Sequence, residues 1–98
     1  MRAKRTDGNH SKILTQIRKL GMTAHSTHTV GDGFPDIVAG YRGQNYLFEV
    51  KDPDQPPSKR KLTPDEVKFH DTWMGRVYVV ETIEQIVKII DDEKRLRP

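Results

Sequence analysis

Residues 31–52, GDGFPDIVAGYRGQNYLFEVKD, limit the possible folds more than any other stretch of the chain. Gly31-Asp32-Gly33-Phe34-Pro35 is turn chemistry with no helix or strand propensity. Residues 36–41 then read as a short strand, apolar on both faces through Ile37, Val38 and Ala39. Arg42-Gly43-Gln44-Asn45 reads as a hairpin turn and residues 46–51 as a second strand, Tyr-Leu-Phe-Glu-Val-Lys. Side chains two apart on a strand share a face. Glu49 and Lys51 therefore project together with Leu47, while Tyr46, Phe48 and Val50 turn toward a core. Charged groups on an otherwise apolar strand are costly when buried without partners. Asp36, Glu49 and Lys51 thus need a chemical explanation.

The flanking sequence supplies helices. A helix is expected from about Asn9, capped by Asp7, Asn9 or Ser11, with Ile13, Leu14, Ile17 and Leu20 as its apolar stripe and Gly21 as its stop. Residues 22–30, rich in threonine and histidine, are expected to form a strand. Residues 52–58 hold three prolines and form a loop. Thr63-Pro64-Asp65-Glu66 opens a second helix: Thr63 caps it, Pro64 takes the first position and Glu66 completes a capping box. Val67, Phe69, His70, Trp73 and Met74 are expected to form its apolar side, with Gly75 at its end. Residues 76–80 form a β-branched strand, and Thr82 caps a last helix to about Asp92 with Ile83, Ile86, Val87 and Ile90 as its stripe. The order α-β-β-β-α-β-α predicts an α/β fold, a mixed sheet flanked by helices.

At 98 residues this is one domain, with residues 1–8 a flexible basic arm. With 34% apolar and 32% charged residues, a globular chain is expected rather than a disordered one. No apolar run approaches the ~18 residues of a membrane span, and no apolar segment follows the N-terminal charges, so a cytoplasmic location is the default. The chain has no cysteine, which excludes disulfides, thiolate metal sites and a cysteine nucleophile. The net charge of +3 is gathered into Arg2, Lys4 and Arg5, then Lys59, Arg60 and Lys61, then Lys94, Arg95 and Arg97. Such clusters suit a polyanion or a solvated surface equally well.

Glu49 and Lys51 could neutralise each other as an ion pair, or form half of a metal site with Asp36 as the other half. The second option has a physical basis. Mg²⁺ takes hard oxygen ligands, one or two carboxylates completed by water and substrate phosphate. Asp36, Glu49 and the carbonyl of Val50 could supply three oxygens, and Mn²⁺ would substitute. Lys51 could orient water or stabilise charge on a phosphate, and Gly33 would let a phosphate backbone approach.

Gly33-Phe34-Pro35-Asp36 followed by Glu49-Val50-Lys51 resembles the PD-(D/E)xK nuclease signature, more narrowly that of the VRR-NUC branch and the related Holliday junction resolvases. The resemblance runs from about His10 to Ile90 and takes in the αβββαβ order, Gly21 and Leu62-Thr63-Pro64. It implies a restriction-endonuclease-like core and metal-dependent hydrolysis of DNA phosphodiesters. It also implies small, often phage-encoded homodimers that cut four-way junctions. Asp36 and Glu49 would be metal ligands and Lys51 the catalytic lysine. Two positions depart from the pattern. His10 stands where relatives carry a glutamate, and could ligate metal, touch phosphate or be idle. Glu66 stands where relatives tend to carry a glutamine, and could join the site or serve only as a cap.

The remaining candidates are surface groups. Arg5, Lys59, Arg60 and Lys61 could track a phosphate backbone with salt-sensitive, sequence-independent affinity. His25 and His28 are three apart on the expected strand, so they face opposite ways and make poor joint ligands. The function expected is a Mg²⁺-dependent endonuclease for branched DNA. The alternatives are a DNA-binding module on the same fold without catalysis, and a structural protein with a Glu49–Lys51 ion pair.

Overall fold

The computed structural model describes residues 8–96, so Arg2, Lys4, Arg5 and Asp7 of the expected basic arm lie outside the described residues. In chain order the elements are α1 (His10–Lys19), β1 (Thr23–Ser26), β2 (Ile37–Tyr41), β3 (Gln44–Val50), a 3-10 turn (Pro57–Lys59), α2 (Pro64–Thr72), β4 (Val77–Val80) and α3 (Ile83–Leu96). The strands form one sheet in the order β1-β2-β3-β4. β1 and β2 are antiparallel, as are β2 and β3, while β3 and β4 run parallel. The fold is therefore α/β with a mixed four-stranded sheet flanked by helices. Among the described residues no helix is long and apolar enough to cross a membrane.

Strand parity decides which face becomes the core. Ile37 and Ala39 of β2 pair with Phe48 and Tyr46 of β3 on one side of the sheet. There they meet Ile13 and Ile17 of α1, Val80 of β4, and Ile86 and Ile90 of α3. Each large aliphatic or phenylalanine side chain fully buried there contributes about 1.5–3 kcal/mol. The other face of β3 presents Leu47 and Glu49, and the Lys51 that follows reaches Glu66 of α2. The β2–β3 turn is only Arg42-Gly43, with φ of 51° and 77°. Two consecutive positive φ values mark a type I′ turn, whose twist matches the strands it joins.

Several elements differ from the sequence expectation. The strand expected over residues 22–30 stops at Ser26, because Thr27 turns the chain: its N–H donates to the Asp36 carbonyl at 2.7 Å and its hydroxyl to the Pro35 carbonyl at 2.7 Å. β2 begins at Ile37 rather than Asp36. Asn9 is the N-cap residue of α1, yet its side chain caps nothing. Its amide instead donates to the carbonyls of Lys51 at 3.1 Å and Glu81 at 2.8 Å, pinning α1 to the ends of β3 and β4. Leu20 and Val87, expected in the apolar stripes, are exposed, and α3 runs on to Leu96.

α2 departs furthest. Thr63 and Glu66 do form the capping box, with Pro64 in the first turn. The expected apolar side is not buried: Val67, Trp73 and Met74 are exposed, and Glu66 is the only buried residue of the helix. The helix ends at Thr72, before Gly75. Phe69 and Trp73 stack at 4.9 Å, and Phe34 packs its ring edge-on against Phe69 at 5.3 Å. Thus α2 is held by ring contacts with the Phe34 loop and by one buried carboxylate.

On the core side, Tyr78 donates its hydroxyl to Glu93 at 2.8 Å. Burial, with the Glu93 hydrogen bond and charge added, pushes the phenol up to about 12 from its usual 10.0. The folded pKa is raised, so this group stabilises the fold fully below pH 10 and the contribution is lost as pH rises toward 12. Thermal melts from pH 9 to 12 are expected to show a steeper alkaline loss in the wild type than in Tyr78→Phe. Parallel curves would contradict this.

Candidate active site

The site lies at the C-terminal end of β3, beside the start of β2, where Glu66 of α2 reaches Lys51. The N–H of Asp36 donates to the Phe48 carbonyl at 3.0 Å, although Phe48 is the register partner of Ile37. Two residues of one strand facing one residue of the next make a bulge-like step, a device that re-aims a side chain. Here it turns the Asp36 carboxylate along β3, where Oδ2 accepts from the Val50 N–H at 2.8 Å. Asp36 is only 3% exposed. Phe48 and Val50 have the same strand parity, so the Val50 carbonyl leaves β3 on the side where Asp36 lies.

On the adjacent face Lys51 lies between two glutamates. Its Nζ is 3.0 Å from Glu66 Oε1 and 3.7 Å from Glu49 Oε2. The first is a charge-assisted hydrogen bond; the second is an ion pair too long for one. Glu66 Oε1 also accepts the Thr63 N–H at 2.9 Å. One oxygen thus completes the helix cap and binds Lys51, so both roles considered for Glu66 coexist. Glu49 and Glu66 are each 1% exposed and Lys51 7%.

His10 enters differently from the expectation. It is buried, with Nε2 3.3 Å from the Asp36 carbonyl oxygen and 3.4 Å from Ser26 Oγ. The same nitrogen reaches both groups, donating to the carbonyl in one tautomer and accepting from the hydroxyl in the other. His10 thus lies against the main chain of Asp36. His28 lies beyond β1 rather than on it, with Nδ1 2.6 Å from Ser26 Oγ and its ring edge-on to His10 at 5.4 Å. His25 is exposed on β1.

The remaining candidates stand apart from this cluster. Gly33 is buried, with φ of 78°, and packs against the backbone of Asp65 and Glu66. It gives α2 its close approach rather than opening a path for phosphate. Arg60 pairs with Glu81 at 3.1 Å, while Lys59 and Lys61 are exposed on the approach to α2. A cavity of about 480 Å³ lies between Asn9, Lys12, Asp52, Glu81 and Thr82, beside the cluster rather than over it. Sequence reasoning missed Asn9 as the tie between β3 and β4, because a residue at a helix start reads as a cap. His70, expected on the apolar side of α2, instead has a buried Nε2 without a hydrogen-bond partner among the described residues. Its spacing from Glu66 placed both on one face of α2, but not the burial of its nitrogen.

Two buried carboxylates, Glu49 and Glu66, thus flank the buried ammonium of Lys51, and a third, Asp36, is tied to the N–H of Val50, the residue before it. The donors are all oxygen and the excess charge is negative, which fits a hard divalent cation. Among the described residues, no group of three or more His, Asp or Glu is placed to hold a metal by itself. Mg²⁺ does not require one, because it keeps waters and takes substrate phosphate as ligand. No family model, no curated protein and no solved structure matches the chain.

Proposed function

We propose that this chain is a divalent-metal-dependent DNA endonuclease with a restriction-endonuclease-like core, of the PD-(D/E)xK kind and nearest in pattern to VRR-NUC domains. The observation that carries the reading is the placement of Asp36, Glu49 and Lys51 at the ends of adjacent strands, all buried, under a helix that contributes Glu66. Asp36 and Glu49, with the Val50 carbonyl, would hold Mg²⁺ or Mn²⁺. The cation would supply the positive charge that polarises a phosphodiester oxygen and eases ionisation of water.

The chain's own residues do the rest. The Val50 N–H fixes one carboxylate oxygen of Asp36, and His10 lies against its main chain. Lys51 has three donors, and Glu66 takes one of them. Its ammonium can therefore turn a hydrogen bond to the phosphate oxygen on which charge develops. Preorganised donors in a dry site commonly contribute about 10²–10³ in rate. Lys59 and Lys61 supply sequence-independent phosphate contacts. A two-fold dimer would present two sites to the symmetric strands of a four-way junction. Exposed Val67, Trp73, Met74 and Val79 are the kind of apolar surface a second copy covers.

The deciding experiment is cleavage of a panel (duplex, flap, splayed arm, four-way junction, single strand) with Mg²⁺ and with Mn²⁺. Metal-dependent cutting of the branched forms is expected, abolished by chelator. Failure on every substrate would sink the enzyme reading. A second reading, a DNA-binding module without catalysis, draws on three features: the burial of Asp36, Glu49 and Glu66, the contact of His10 with the Asp36 carbonyl, and the lack of a ready three-ligand cluster among the described residues. Calorimetric titration separates the two, since DNA binding without Mg²⁺ or Mn²⁺ binding favours the module.

A further inference from the structure

His28 does not sit where strand periodicity would put it. β1 ends at Ser26 and Thr27 turns the chain, so the His28 ring comes back against His10 of α1. Two imidazole nitrogens then converge on one hydroxyl: Ser26 Oγ is 2.6 Å from His28 Nδ1 and 3.4 Å from His10 Nε2. The ring centres are 5.4 Å apart, with planes inclined at 69°. Two imidazoles on one tetrahedral zinc, with Zn–N bonds of about 2.0–2.1 Å, place their ring centres about 5 Å apart. His10 is buried and His28 half-buried, while Ser26 is exposed, so the cluster opens to solvent on the Ser26 side.

We propose that His10 Nε2 and His28 Nδ1 are joint ligands of a borderline divalent cation (Zn²⁺, Ni²⁺, Co²⁺ or Cu²⁺), with the Ser26 hydroxyl turned aside and water in the remaining positions. Imidazole nitrogen suits these ions, whereas Mg²⁺ prefers oxygen. The groups the two rings leave keep partners. The Asp36 carbonyl, 3.3 Å from His10 Nε2, also accepts the Thr27 N–H at 2.7 Å. The Ser26 hydroxyl has solvent beside it. Among the described residues no group of three His, Asp or Glu forms around the pair. It is therefore an open site with exchangeable positions, unlike a structural zinc site closed by four protein ligands. It uses none of the Asp36, Glu49 and Glu66 side chains and does not rest on the nuclease reading.

Calorimetric titration of the full chain with Zn²⁺ alone, with and without excess Mg²⁺, tests this. One equivalent of Zn²⁺ is expected to bind, undisturbed by Mg²⁺, and Ni²⁺ and Cu²⁺ to bind more tightly than Co²⁺. His28→Ala is expected to weaken Zn²⁺ by about tenfold or more, since loss of a mere outer partner of a ligand costs about 10–100-fold. His10→Gln is expected to do the same. His10 is buried, so the half-buried His28 carries the result if the His10 variant fails to fold. His25→Ala, exposed on β1, is expected to leave the titration unchanged. In NMR spectra, substoichiometric Cu²⁺ is expected to broaden the ring signals of His10 and His28 together and to spare those of His25 and His70. Displacement of Zn²⁺ by Mg²⁺ would put the cation among the carboxylates and overturn the proposal. Equal Zn²⁺ affinity in the wild type and His28→Ala would overturn it too, as would broadening of His25 equal to that of His28. Zn²⁺ binding lost in His28→Ala, in a protein that cuts no DNA, would support the two-histidine site and overturn the nuclease reading alone.

Discussion

Lys51→Met is expected to cost about 3–5 kcal/mol of folding stability and to lower cleavage by about 10²–10³. The stability loss follows from burial. Lys51 is the ammonium between Glu49 and Glu66, each only 1% exposed. Methionine fills nearly the same volume but leaves two carboxylates without their shared cation. Breaking a buried pair from one side is far more harmful than removing both sides. The double variant Lys51→Met/Glu66→Gln should therefore recover much of the stability, because glutamine keeps the bond to the Thr63 N–H without a charge. It should recover none of the cleavage. Urea unfolding of the two variants, beside single-turnover cleavage, separates the structural and catalytic parts. A double variant as unstable as Lys51→Met would show that Glu66 is not the stranded charge.

Gly33→Ala should destabilise the protein by about 3 kcal/mol, a large share of what a domain of this size has. Two effects combine at this position. Its φ of 78° is unfavourable for any residue with a Cβ. That Cβ would also overlap the Asp65 carbonyl oxygen and lie 2.9 Å from the Glu66 nitrogen. These are backbone atoms of the first turn of α2, which cannot swing aside like a side chain. Gly31 is the internal control, with a φ of 81° but nothing within 4 Å of its added Cβ. Gly31→Ala should cost only about 1 kcal/mol. Equal melting temperatures for the two variants would refute the close-approach argument.

The order of elements and the faces of β3 were legible in the sequence, because both follow from side-chain periodicity. Leu47, Glu49 and Lys51 on one face and Tyr46, Phe48 and Val50 on the other needed only the period of a strand. The capping box of α2 was equally local, since Thr63 and Glu66 are three apart. What remained hidden depends on neighbours distant in sequence. The step that re-aims Asp36 arises where β2 meets β3. The Asn9 amide leaves its own helix for carbonyls 42 and 72 residues away. The exposure of Val67, Trp73 and Met74 could not be read from composition, because an apolar residue on a short helix reads as core until the helix is seen to dock through a glutamate. The resemblance to nucleases rests on the same few residues as the candidate site and awaits the cleavage panel.

The parallel pairing of β3 with β4 carries a consequence for how the chain closes. β1, β2 and β3 follow one another as neighbours, but β4 returns only after residues 51–76. Closing a connection of that length costs about 3 kcal/mol of chain entropy before any strand contact offsets it. The bonds that close it fall beside the carboxylates: the Lys51 N–H donates to the Val80 carbonyl at 2.9 Å, and Asn9 joins the Lys51 and Glu81 carbonyls. Closure of the sheet therefore fixes the main chain of Lys51 beside the acidic side chains its ammonium meets. A chain in which β4 has not docked lacks the Val80 carbonyl that accepts the Lys51 N–H.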